Sequence, residues 1–174
     1  MPMNFLSIFD VIGPNMIGPS SSHTAGAVAM ALLTRKMCPV PVRSVVFTLY
    51  GSFARTYHGH GTDRALLGGI LGFKTDDPRI RDSFDWAQKE SVAYKYVIDE
   101  TTPVRHPKTA DIDVVCENGY RLSVRGESIG GGKIKIVRIN HIDVEFTGEY
   151  STLIGRQTDK PGVVAHITQC LSNH

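Results

Sequence analysis

The sequence predicts an α+β fold with a mixed or antiparallel sheet, on three observations. Helix-like segments fall early in the chain. Strand-like segments that read as antiparallel fall late, and one pair of them meets across the turn Glu117, Asn118, Gly119, as a β-hairpin does.

In chain order, residues 4–12 (NFLSIFDVI) are a short apolar segment ended by Gly13 and Pro14. A turn-rich loop, PNMIGPSSS, leads to a predicted helix over 24–37. Ala27, Val28, Ala31, Leu32 and Arg35 in that run recur with helical spacing. Ser20, Ser21 and Ser22 are natural caps for it, and Pro39 and Pro41 bar its continuation. Residues 43–50 (RSVVFTLY) read as a strand. Gly51 opens a predicted loop, SFARTYHGHG, before a helix in TDRALLGGILGF capped by Thr62 or Asp63. Residues 78–90 read as helical around Phe84 and Trp86.

The later segments are strands: SVAYKYVID, then DIDVVC paired with YRLSVRG, then KIVRIN joined to HIDVEF near Asn140 and His141. A flexible stretch, SIGGGK, lies between the two pairs. A domain boundary is expected near Glu149. Beyond it come a strand, a turn at Asp159, Lys160, Pro161 and Gly162, and the start of a helix. The domains read as 1–148 and 149–174, the second too short to fold unaided.

Composition narrows the function. The 174 residues are 41% hydrophobic and 21% charged, the profile of a globular protein, with a net charge of +2. No basic run points to nucleic acid or a membrane surface, and no apolar stretch nears the roughly 20 residues of a membrane span. The N-terminus lacks the charged start of a secretory signal, and three separated cysteines (Cys38, Cys116, Cys170) suit a reducing compartment. A cytoplasmic location is the expectation. Three isolated thiols do not make the four-thiolate set that commonly holds a four-iron cluster.

Three motifs can carry chemistry. In GPSSSHT, Ser20, Ser21, Ser22, His23 and Thr24 crowd the start of a helix, where unpaired N–H groups and the helix dipole suit a carboxylate or phosphate. Simple capping by the serines, with His23 solvated, stands beside that reading. In YHGHGTD, His58 and His60 sit between glycines ahead of another helix. A proton-transfer or binding role, a zinc site and an ordinary loop histidine are all open there. The Gly130, Gly131, Gly132 triplet before Lys133 can cradle an anion, although a flexible hairpin loop explains it as well.

SIFDVIGPNMIGPSSSHTAGA, LYGSFARTYHGHGTDRALLGGILG and SIGGGKIKI, in this order, resemble the β part of bacterial iron–sulfur-dependent L-serine dehydratases over about residues 4–148. The tail, with DKPGVVAHITQ, resembles the opening of an amino-acid-sensing ACT domain, incomplete at residue 174. The resemblance implies a core similar to the allosteric substrate-binding domain of D-3-phosphoglycerate dehydrogenase. It also implies deamination of L-serine to pyruvate and ammonia without pyridoxal phosphate, a step in amino-acid metabolism and gluconeogenesis. A [4Fe–4S] cluster, acting as a Lewis acid on the serine hydroxyl, belongs in that case to a separate α subunit. No metal ligand is then expected in this chain, and self-association into a homodimer stays open.

Carried onto this sequence, the resemblance makes His60 and His23 the catalytic histidines, with His60 moving the proton. Ser20, Ser21, Ser22, Thr24, Gly61, Thr62 and Asp63 become the substrate-binding set. The allosteric serine site of some single-chain members has a His two residues before an Asn; here Cys116 precedes Asn118, and regulation through the tail is expected instead. Two rival readings remain: a non-catalytic regulatory module that binds an amino acid or anion, and a zinc hydrolase using His58, His60 and His23.

Overall fold

A computed structural model describes residues 15–155, 157, 158 and 160–172. The apolar segment 4–12 lies outside them. A single π-helical turn, Ser21–Ala25, runs into helix α1, Gly26–Lys36. Strand β1 (Val42–Tyr50) follows, then helices α2 (Gly51–Thr56) and α3 (Thr62–Ile70), a 3-10 turn at Pro78–Asp82, and α4 (Ser83–Lys89). Strands β2 (Ala93–Asp99), β3 (Thr109–Cys116), β4 (Arg121–Gly130), β5 (Lys133–Ile139) and β6 (Ile142–Phe146) come next, and α5 (Val163–Ser172) is last.

The strands form one six-stranded sheet in the order β2-β1-β3-β4-β5-β6. Four neighbouring pairs are antiparallel, and β1 with β2 is parallel, from Ser44 opposite Ala93 to Tyr50 opposite Asp99. The sheet is therefore mixed, in an α+β chain. The parallel pair is the departure from the late strands' antiparallel look. Two parallel neighbours need a long crossover, and α2, α3 and α4 supply it.

Alternation along each strand gives the sheet one covered face. Phe47 and Leu49 of β1, Ile112 and Val114 of β3, Val124 of β4 and Ile136 of β5 are buried against Val28 and Met30 of α1 and Leu66, Leu67 and Ile70 of α3. Each such side chain contributes about 1.5–3 kcal/mol by leaving water. On the other face, Arg125 grips Asp111 through two 2.6 Å bonds while the Tyr50 hydroxyl donates to the same carboxylate at 2.8 Å. Burial first, and the bond to Asp111 second, push the Tyr50 phenol up to about 12.

Three local expectations need correction. The loop expected from Gly51 begins instead with α2, which turns directly off the end of β1. The cap of α3 is neither Thr62 nor Asp63 but Gly61, whose φ of +66° lies in the left-handed region a side chain would resist. Residues 151–155 form no strand. They are exposed and pair with no strand among the described residues.

Candidate active site

Two chain entrances meet at the C-terminal end of β1. The first is the π-helical turn at Ser21–Ala25. The Ser20 hydroxyl accepts the His23 backbone N–H at 3.2 Å, and the Ser20 carbonyl accepts that of Thr24 at 2.8 Å. This is the expected serine cap, and it also fixes where His23 points. The His23 Nδ1 lies 3.3 Å from the hydroxyls of both Ser20 and Ser22. Its Nε2 lies 3.0 Å from the hydroxyl of Ser52, on the first turn of α2.

Only 8% of His23 is exposed, and the ring of Phe53 stands edge-on to it at 5.5 Å. Burial first, then the neighbouring His60 and Lys108, lower its pKa to about 4. At neutral pH His23 is therefore an uncharged imidazole.

The second entrance is the loop between α2 and α3. It is wound tightly by backbone bonds from His60 N–H to the Thr56 carbonyl (3.1 Å), Gly61 to His58 (3.2 Å) and Thr62 to Tyr57 (2.8 Å). The Thr24 hydroxyl donates to the His60 carbonyl at 3.1 Å and ties the two entrances together. The outcome is an imidazole pair: the rings of His23 and His60 lie 4.6 Å apart, centre to centre. The His60 Nδ1 and the Thr62 hydroxyl are buried with no hydrogen-bond partner among the described residues. Buried polar atoms are seldom left this way.

His58 is used differently. Its Nδ1 bonds the carboxylate of Asp63 at 2.7 Å, and its ring stacks on Tyr57. Asp63 is buried at the start of α3 and also accepts the Arg64 N–H at 2.8 Å, while its carbonyl receives the Tyr96 hydroxyl at 2.7 Å. Burial first, then the charge of Asp63, push the Tyr96 phenol well above its ordinary range. Among the substrate-binding candidates, Asp63 and Thr24 thus have their polar groups engaged inside the fold. Ser20 and Ser22 face His23, and the Ser21 hydroxyl makes no hydrogen bond among the described residues. Gly61 and Thr62 line the loop itself.

Two residues that hold this geometry, Ser52 and Ser128, lie in motifs the sequence singles out, but neither is assigned a role there. Ser52 holds the second nitrogen of His23, and Ser128 donates to the Ser22 carbonyl at 2.7 Å from across the sheet. Both contacts are long-range, and no spacing rule finds them. The SIGGGK motif, read as an anion cradle or a hairpin loop, places Ser128 at the end of β4 and its glycines around the turn into β5.

No group of three or more His, Cys, Asp or Glu among the described residues is placed to hold a metal ion. The thiols do not fit an iron–sulfur cluster either. Cys116 pairs with Val42, at the end of β1 opposite the imidazoles, and is buried in the core with Cys38. Burial first, then the Cys116 thiol, push Cys38 up to about 12, so it is an inert core thiol. Cys170 is exposed on α5.

Comparison with known proteins adds a family. A model described as "Serine dehydratase beta chain" matches residues 7–115. The L-serine dehydratase β chain of Peptoniphilus asaccharolyticus is 45% identical over 170 residues, spanning 98% of this chain and 77% of that protein. The probable L-serine dehydratase β chain of Bacillus subtilis is 40% identical over 170 residues, spanning 98% of this chain and 76% of that protein. An L-serine dehydratase of Streptomyces coelicolor is 43% identical over 82 residues, or 44% of this chain and 17% of that protein.

Proposed function

This chain belongs to the serine dehydratase β-chain family, and we propose from that premise that it supplies the proton-transfer half of an L-serine ammonia-lyase. Its partner is an α subunit, and together they convert L-serine to pyruvate and ammonia. The observation that carries this reading is the His23–His60 pair, with rings 4.6 Å apart and His23 kept uncharged.

The chemistry needs a base for the α-proton and an exit for the β-hydroxyl. In our reading His60 takes the α-proton, and its unpartnered Nδ1 leaves that ring free to engage a ligand. His23, clasped by Ser20, Ser22 and Ser52, orients against it and assists. The hydroxyl leaves as water, and the resulting enamine tautomerises and hydrolyses to pyruvate and ammonia. The [4Fe–4S] cluster implied by the family resemblance is, in this reading, held by the α subunit, since the thiols of this chain do not fit it.

We also assign residues 149–174 to the opening of an ACT domain, and the core to the same fold type as the regulatory domain of D-3-phosphoglycerate dehydrogenase. Support for the former is α5, which leaves Val164, Ile167 and Leu171 exposed along one face, as a helix awaiting a partner does. No helix among the described residues is long and apolar enough to cross a membrane, and we place the enzyme in the cytoplasm. The test is to combine the chain anaerobically with its α partner and follow pyruvate from L-serine. Equal amounts of pyruvate and ammonia, formed only by the combined chains, are expected. No turnover from an assembled, cluster-loaded complex would contradict the proposal.

A further inference from the structure

An amino-acid substrate brings a carboxylate, yet most hydroxyls near the imidazole pair are already engaged. Ser20 and Ser22 face His23, and Thr24 donates to the His60 carbonyl. A cation belongs to the same backbone network and acts electrostatically on His23. Lys108 is half-buried just before β3, and its ammonium makes no hydrogen bond or ion pair among the described residues.

Its backbone is fixed between the two serines that hold the His23 turn. Ser52, whose hydroxyl touches His23 Nε2, donates its N–H to the Pro107 carbonyl at 2.6 Å. Ser128, whose hydroxyl bonds the Ser22 carbonyl, donates its N–H to the Lys108 carbonyl at 3.0 Å. The His106 Nδ1 accepts the Lys108 N–H at 3.2 Å. Gly51 allows this close approach, because a Cβ there would stand 2.6 Å from the Pro107 oxygen. A half-buried ammonium without a counter-ion is costly, and an arriving anion removes the cost.

We propose that Lys108 binds the α-carboxylate of the amino-acid substrate, beside the His23–His60 pair. The proposal rests on the L-serine reading and makes Lys108 a substrate-binding residue that no motif announced. The position also agrees with electrostatics, since Lys108 is one of the charges that depress His23. A bound carboxylate would offset that charge and make His23 a better acceptor once substrate is present.

The experiment uses the assembled complex with Lys108→Met, Lys108→Arg and, as a surface control, Lys95→Met. Loss of a charge-assisted bond to the carboxylate raises KM for L-serine about 10- to 100-fold in Lys108→Met. The loss falls on KM far more than on kcat, Lys108→Arg recovers most of it, and Lys95→Met matches wild type. Inhibition by L-serinamide, which lacks the carboxylate, stays the same in Lys108→Met. An unchanged KM, or serinamide binding lost in parallel, overturns the assignment.

If the wild-type complex does not turn over serine, the functional reading fails separately, and acetate titrated into the full chain by NMR decides for Lys108. Saturable shifts of the His23 ring in wild type that vanish in Lys108→Met support it. Shifts that are absent or equal in both overturn it.

Discussion

His58 lies over Asp63 with 2.7 Å between ring nitrogen and carboxylate oxygen, an imidazole side chain 74% exposed on a carboxylate only 4% exposed. The bond closes the loop that carries His60, because the two residues flank Gly59, His60, Gly61 and Thr62. A buried carboxylate at a helix start with one exposed partner is a strap across that loop, alongside the backbone bonds that wind it.

The strap is measurable by a double-mutant cycle on His58→Ala and Asp63→Asn with denaturant melts. The exposed side of the pair is screened by solvent, so a coupling of about 0.5–1 kcal/mol is expected. Asp63→Asn should be the more damaging single change, as it also weakens the bond from Arg64 N–H. Strictly additive losses would mean that the two side chains do not cooperate.

His23 makes stability depend on pH in a defined direction. Its folded pKa is lowered from 6.5 to about 4, so the folded state prefers the uncharged ring. Its contribution is fully present above pH 6.5 and is lost as pH falls towards 4, because the unfolded chain takes up the proton first. The loss is up to roughly 3 kcal/mol. Urea melts at pH 7, 5.5 and 4.5 should show a steeper decline for wild type than for His23→Gln, and parallel declines would contradict the burial argument.

Gly26 is the tightest point of the first entrance. A Cβ there would stand 2.0 Å from the Ser128 hydroxyl oxygen, which bonds Ser22. Gly26→Ala must displace Ser128, at about 1–3 kcal/mol for overpacking. Adding Ser128→Ala should restore part of the loss, which a thermal melt of the double variant checks.

Much of this was legible in the sequence because it is written in local chemistry. Ser20 capped its turn, the Asn118–Gly119 hairpin formed, and both histidine motifs opened helices as expected. The misses share a physical cause. The parallel β1–β2 pair depends on a crossover, and α2 forms where Gly51 and Ser52 dock on Pro107, 55 residues away from Ser52. Ser52, Ser128 and Lys108 acquire their meaning only through contacts between distant segments. Asp63 entered the substrate-binding set with the rest of its motif, and the structure shows its buried carboxylate bonded to His58.

The central claim is that His60 and His23 move the protons of the reaction. It is tested most directly by kcat at saturating L-serine for His60→Gln and His23→Gln in complexes that assemble and bind their cluster as wild type does. Loss of about 100-fold or more for His60→Gln, and a clear fall for His23→Gln, is the predicted result. Two variants that both stay within about threefold of wild type would leave this chain a binding or regulatory module instead.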